Sequence, residues 1–313
     1  MGCSSPTVLE SPYTRCSFTI NNIASELLKV FSIGNNRLLS CSSTTYQIMN
    51  IGEEGEPETI EFEKEIYTAT IAERKDGLKL IEGTCNGTIF IEDIETDDML
   101  ELEGHESTVV CLLMLRNGRL CSCAADGQVI IWNIKNGKDL SNFYPHEKLI
   151  WSIVELEDGR LFSVSEDNTA NIVSYKKQVK LDVSIEAVKS KCALQLADGR
   201  IVFNSNRDIY VYQLDKLPDM NIPENLKGKK QFQPDHIIKE GHIGCVVCML
   251  QLRCGVLCTG GEEGLIKLWS IKDNFQLITE LTGHRTKIND IIETFDEKLI
   301  SCSDDRSIKI WIP

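Results

Sequence analysis

The stretch that decides the fold is residues 117–134, NGRLCSCAADGQVIIWNI. It opens on Asn-Gly, alternates Leu, Cys and Ser, turns at Asp126-Gly127, and returns through Val and Ile to Trp132. Asn-Gly and Asp-Gly beside alternating segments are strong hairpin signals, because the tight turn needs positive φ. Six siblings follow the same grammar: residues 36–51 (NRLLSCSSTTYQIMNI), 77–94 (GLKLIEGTCNGTIFIEDI), 158–175 (DGRLFSVSEDNTANIVSY), 198–214 (DGRIVFNSNRDIYVYQL), 255–271 (GVLCTGGEEGLIKLWSI) and 297–312 (EKLISCSDDRSIKIWI). Aligned on Trp132, the equivalent positions are Met49, Glu92, Val173, Tyr212, Trp269 and Trp311, and successive gaps along the chain are 43, 40, 41, 39, 57 and 42 residues. An alternating segment precedes each hairpin, and a further short one, such as 99–102, 235–239 or 276–281, precedes several of these. Four antiparallel strands repeated seven times predict an all-β, seven-bladed β-propeller of four-stranded blades. The repeats run 12–51, 58–94, 98–134, 138–175, 179–214, 235–271 and 275–313 in a single domain, with an insertion at 215–234 that accounts for the long gap.

Composition bounds the function. Of 313 residues, 42 % are hydrophobic and 26 % charged, as in ordinary globular chains. A net charge of −14 repels phosphate backbones, which excludes duplex nucleic acid and anionic membrane as main partners. The longest apolar run, residues 109–115, is far short of the ~20 residues that a spanning helix needs, so no membrane span is expected. The 13 cysteines are odd in number, and the opening MGCSSP has neither a basic start nor an apolar stretch. Unpaired thiols read as small buried hydrophobes in a reducing compartment, the cytoplasm with the nucleus also open to it. Gly2 and Cys3 suggest acylation, but Pro6 stands where the myristoylation pattern wants Ser or Thr, so an unanchored tail is expected.

The residues resemble the WD-repeat family. Gly104-His105, Gly241-His242 and Gly283-His284 match its Gly-His dipeptide, and Pro145-His146 is a degenerate copy. Trp132-Asn133, Trp269-Ser270, Trp311-Ile312 and Glu92-Asp93 are degenerate forms of its Trp-Asp. The resemblance implies a buried hydrogen-bond chain in each complete repeat. The sets are His105, Ser122, Asp126 and Trp132; His242, Thr259, Glu263 and Trp269; and His284, Ser301, Asp305 and Trp311. Blade 4 keeps His146, Ser163 and Asp167 but has Val173, and blades 1, 2 and 5 lack the set. His, Ser and Asp could form a hydrolase triad, but a catalytic site needs one copy in a pocket, and this set recurs with the repeat. No catalytic residue, cofactor or metal is therefore expected. Cys111 and Cys248 share one repeat position and Cys41, Cys123 and Cys302 another, which reads as core filling. Cys245 and Cys248 stand an odd number of residues apart on one strand and point to opposite faces, unlike the converging thiolates of a zinc knuckle.

Propellers of this family close by taking the last outer strand from the other terminus. Residues 13–20 (YTRCSFTI) are thus expected to pair with 308–312 and complete blade 7. Family geometry also marks the residue five after each histidine position as lining the top mouth: Leu28, Tyr67, Val110, Trp151, Lys191, Val247 and Asn289. Tyr67, Trp151 and Asn289, with Lys189 and Lys191, form one candidate partner-binding set; Lys227, Lys229 and Lys230 in the bottom-face insertion form another. The reading is a non-catalytic protein-interaction scaffold that takes peptides or protein loops on its top face, a monomer within a larger complex. The alternatives are a substrate receptor of a ubiquitin ligase and a propeller enzyme. Such receptors often carry Trp-Asp-x-Arg, from which Trp132-Asn133-Ile134-Lys135 and Trp269-Ser270-Ile271-Lys272 both depart at two positions.

Overall fold

A computed structural model describes residues 11–21, 26–52, 57–61, 64–74, 77–96, 98–175, 179–186, 189–213 and 233–312. Gly2 and Cys3, and most of the 215–234 insertion with Lys227, Lys229 and Lys230, lie outside the described residues. The described chain forms 28 strands in seven four-stranded antiparallel sheets, with no helix among the described residues.

Each sheet is a blade. Blade 1 runs from Leu27 to Glu61, blade 2 from Ile66 to Leu102, blade 3 from Val109 to Phe143 and blade 4 from Ile150 to Glu186. Blade 5 runs from Ala193 to Ile238 and blade 6 from Val246 to Leu281. Blade 7 takes three strands from Ile288 to Ile312 and its outer strand from Arg15–Ile20. That strand pairs antiparallel with Ser307–Ile312, from Arg15 opposite Ile312 to Ile20 opposite Ile308, so the ring closes through the N-terminal segment. The sequence repeat and the blade are one strand out of phase. Met99–Leu102 opens a sequence repeat yet forms the outer edge of blade 2, while the rest of that repeat builds blade 3. Each repeat thereby ties two neighbouring blades together.

The core is divided among the seams. Seven apolar clusters each span two adjacent blades: Leu120, Ile130 and Trp132 meet Ile81, Ile89 and Ile91 between blades 2 and 3. Leu299 and Trp311 meet Leu252, Leu268 and Tyr13 between blades 6 and 7. The cluster between blades 1 and 2 is the smallest, with Leu39, Cys41, Tyr46, Ala69 and Leu80 as its buried members. Glycine is required where a top turn meets the next blade. Gly127 has φ +83°, and a Cβ there would lie 2.2 Å from the carbonyl oxygen of His146. Both the left-handed backbone and the close approach exclude a side chain.

Candidate functional site: the seams and the top mouth

The polar sets lie inside the blades. In blade 3 the Trp132 indole donates to Ser122 Oγ at 2.7 Å, and Ser122 Oγ stands 2.6 Å from His105 Nε2. Blade 7 repeats this with Trp311, Ser301 and His284 at 2.9 and 2.8 Å, and blade 6 with Trp269, Thr259 and His242 at 2.9 and 2.7 Å. In blade 4, His146 and Ser163 are 2.9 Å apart, without the tryptophan. The far ring nitrogen meets Asp305 in blade 7, Glu263 in blade 6 and Asp167 in blade 4. A carboxylate only accepts, so Nδ1 carries the proton and Nε2 accepts from the hydroxyl.

Blade 3 corrects the sequence reading. His105 Nδ1 donates to Gln128 Oε1 at 2.7 Å, not to Asp126, whose carboxylate instead accepts the Gln128 backbone N–H at 3.0 Å. Asp126 is exposed while Gln128 is buried, so the long amide reaches inward and displaces the shorter turn acid. Burial lowers the His105 and His284 pKa values, keeping these imidazoles neutral at neutral pH. Burial alone would push the Glu263 carboxyl up, but the hydrogen bond and electrostatic attraction of His242 and the backbone N–H bonds together outweigh it and bring it down to about 2. The hydroxyls of Ser122, Thr259 and Ser301 are fully buried, so none can reach an external substrate. These sets hold strands together.

Blades lacking the set carry other residues at its hydroxyl position. Blade 5 has Phe203, stacked on Tyr212 at 5.5 Å, and next to it the buried Asn204, which accepts the N–H groups of Lys191 and Cys192 at 2.8 and 3.0 Å. Blade 1 has Ser40, whose hydroxyl is buried without a hydrogen-bond partner. Blade 2 has Glu82, 2 % exposed, with Oε1 likewise unpartnered. Amide hydrogen exchange in blades 1 and 2 should therefore be faster than in blades 3, 6 and 7, and faster in blade 5 unless Asn204 substitutes for the missing set. Uniform protection around the ring would contradict this ordering.

Two further belts escaped sequence reading. The first lies at the innermost strand of each blade, at the position six after each histidine position: Lys29, Thr68, Cys111, Ser152, Cys192, Cys248 and Asp290. Five of these reach the inner strand of the next blade. Cys111 bonds the Ile153 backbone, Ser152 Oγ accepts the Ala193 N–H at 3.3 Å, and Cys192 and Cys248 point their thiols at the carbonyls of Val246 and Ile288 at 3.9 and 3.7 Å. Asp290 accepts the Val30 N–H and the Lys29 ammonium, both at 3.3 Å, and raises the Lys29 pKa. The second belt is on the bottom face, where a Glu or Gln ending an inner strand accepts a turn N–H of the preceding blade. The pairs are Arg116 to Glu155, Glu157 to Gln195, Ala197 to Gln251 and Arg253 to Glu293, at 2.7 to 2.9 Å. Their signal was present in the sequence, a Glu or Gln nine residues after each histidine position in blades 4 to 7, but alternation alone reads such residues as solvent-facing.

The top mouth is where the candidate binding residues fall. Tyr67 of blade 2 is 37 % exposed and Trp151 of blade 4 half-buried. Lys191 of blade 5 leans toward the Trp151 ring, 6.0 Å from its centroid, and pairs with Glu262 of blade 6 at 2.7 Å. Lys189 is exposed with φ 52°, and its left-handed backbone is held by bonds from Asn204 and Cys245 to its carbonyl. Asn289 is not a free rim group: its amide donates to the Leu27 carbonyl at 2.7 Å and to Asp304, tying blade 7 to blade 1. Val110 is buried and contributes no surface. The cysteines of the 245–258 stretch diverge, with Cys245 bonded near the top of the blade 5–6 seam and Cys254 exposed in a bottom turn. Among the described residues no three His, Cys, Asp or Glu side chains are placed to hold a metal ion. Burial pushes the thiols of Cys41, Cys192, Cys258 and Cys302 well up, so they are unreactive core groups.

Seven closed four-stranded blades, three of them with a His–hydroxyl–Trp chain, define a seven-bladed β-propeller. Residues 97–133 and 275–311 match the model of the family described as "WD domain, G-beta repeat", so the chain carries WD repeats within a seven-bladed propeller. It is similar to apoptotic protease-activating factor 1 of Rattus norvegicus, 26 % identical over 200 residues that cover 63 % of this chain and 12 % of that protein. It is also similar to E3 ubiquitin-protein ligase COP1 of Arabidopsis thaliana, 21 % identical over 192 residues that cover 59 % of this chain and 26 % of that protein. The chain thus spans a small part of the length of these curated relatives. The crystal structure of the WD40 β-propeller domain of Doa1 superposes with a TM-score of 0.74 at 17 % identity, covering 95 % of this chain and 96 % of that one, a likeness of fold.

Proposed function

We propose that this protein is a non-catalytic interaction scaffold that binds a peptide or protein loop on the top face. The observation that carries the reading is the convergence of Tyr67, Trp151 and the Lys191–Glu262 pair, from blades 2, 4, 5 and 6, on one rim. Partly exposed aromatic rings beside a charged pair are what an interface anchor consists of: large apolar area with polar groups that set orientation. The general use of WD-repeat propellers as interaction domains supports it. A substrate-receptor role draws support from the likeness to COP1, but Lys135 and Lys272 stand where such receptors carry arginine, and the scaffold reading is favoured. The expected setting is the cytoplasm, as one copy within a larger assembly.

The test is affinity purification from the native cell with wild type and the double variant Trp151→Ala, Tyr67→Ala. Truncating two anchors should weaken a top-face partner by about tenfold or more, at 1–2 kcal/mol each. An unchanged set of partners would move the binding surface elsewhere.

A further inference from the structure

The two belts do not run all the way round. Among the described residues, the seams on either side of blade 2 lack both: Lys29 and Thr68 replace the inner-strand groups that bond the next blade, and Ile71 and Met114 replace the bottom Glu or Gln. Between blades 2 and 3 the bottom face opens into a groove of about 1350 Å³. Its walls include Ile71, Ile91, Leu100, Met114 and Ile134, with Met99, 64 % exposed, at its lip.

Other seams show what belongs in such a space. Tyr13 fills the bottom of the blade 6–7 seam, its hydroxyl donating to Glu293 at 3.3 Å. Tyr175 fills the blade 3–4 seam and accepts from the Asn117 amide at 2.9 Å. Phe275 fills the blade 5–6 seam, stacked on His236 at 5.5 Å with the Arg200 guanidinium 4.9 Å from its ring. Tyr175 and Phe275 come from the bottom connection between the third and fourth strands of their blades, and Tyr13 precedes Arg15–Ile20, the fourth strand of blade 7. In blade 3 the matching residue is Gly137. Its N–H bonds the carbonyl one past the tryptophan, as that of Phe275 does, and both are left-handed, φ 70° and 59°. A Cβ on Gly137 would point at Leu102 and Leu100, and Leu100 holds the register position of His236. Among the described residues an aromatic ring stands at three seams and is missing at this one.

We propose that the blade 2–3 groove docks a partner segment that presents one aromatic side chain next to a basic residue. The volume exceeds that of one ring, so a short stretch of chain enters, and the two methionines can adjust to it. Charge selects the neighbour. Lys79 is paired with Asp93, and the Arg116 guanidinium donates to the carbonyls of Leu156 and Glu155. Among the described residues that leaves the exposed carboxylates of Glu73 and Asp98 on the rim against the ammonium of Lys135. This surface is on the opposite face from the top mouth and does not depend on the scaffold reading above.

The probe is acetyl-Tyr-Thr-Arg-amide, which copies the spacing of Tyr13 and Arg15, compared with acetyl-Tyr-Thr-Glu-amide by amide NMR titration of the full chain. The arginine peptide should give saturable shifts in residues 99–102 and 134–137 and bind about threefold more tightly than the glutamate peptide, the size of one rim ion pair. Gly137→Phe, which fills the groove from within, should weaken it about tenfold. Glu73→Lys with Asp98→Lys, both exposed, should reverse the preference. Shifts confined to the top face, no saturation at millimolar peptide, or equal binding of the two peptides would overturn the proposal.

Discussion

Deletion of residues 1–20 is expected to abolish the cooperative unfolding transition and most of the soluble yield. The segment supplies the outer strand Arg15–Ile20 of blade 7 and the ring of Tyr13, 2 % exposed against Leu252, Leu268 and Trp311. Removing a buried aromatic side chain costs about 3–5 kcal/mol, and the lost strand exposes the edge Ser307–Ile312 as a template for strand addition. Against a total stability of about 5–15 kcal/mol, the two together leave little. Point variants grade the effect. Tyr13→Ala should lower stability by about 3 kcal/mol through the cavity, whereas Tyr13→Phe keeps the packing and loses only the bond to Glu293, about 1 kcal/mol. Urea titration measures all three, and a truncated chain with an unchanged midpoint would mean that the ring does not need its closing strand.

Glu82→Met is expected to stabilise the protein above neutral pH and to remove part of its alkaline sensitivity. Burial, then the charge of Glu92, raises the Glu82 carboxyl from 4.5 to about 8. It packs at the seam with Cys41, whose own thiol is raised by burial and by Glu82. Below pH 4.5 the group is protonated in both states and contributes no pH dependence. Between 4.5 and about 8 the folded state holds a proton that the unfolded state has lost, so stability falls as pH rises, by about 1.4 kcal/mol per unit at most. Above that range both states are ionised and the full destabilisation, a few kcal/mol, is present. Methionine matches the volume without the charge, so the variant should gain about 2–4 kcal/mol at pH 8.5 and change little at pH 4. Unfolding at those two pH values decides it: equal gains at both would mean that ionisation of Glu82 is not the cause.

Much of the architecture was legible because it rests on local periodicity. Alternation places side chains on opposite faces, and Asn117-Gly118 or Asp126-Gly127 turns the chain at fixed intervals, so strands, hairpins and repeat number follow from adjacent residues. Closure by the N-terminal segment followed from the resemblance too, since propellers of that family take the last outer strand from the other terminus. The His–hydroxyl–Trp chains followed from the family resemblance, except for the acceptor of the far ring nitrogen in blade 3. There the competition between Asp126 and Gln128 for one ring nitrogen depends on which side chain reaches inward, a matter of length and depth that spacing does not encode.

What the tertiary structure alone decided concerns groups from different blades. Asn289 reads as a rim residue until its amide is found on Leu27 across the closing seam, and Lys191 reads as free charge until it meets Glu262. The same holds for Gly137, an unremarked turn glycine in sequence that becomes an absent ring only beside Phe275, Tyr175 and Tyr13. Residues within one strand are placed by backbone geometry, which the sequence determines locally. Residues facing each other across a seam lie far apart along the chain, 39 positions for Arg116 and Glu155 and 262 for Leu27 and Asn289, and only the closed ring brings them together.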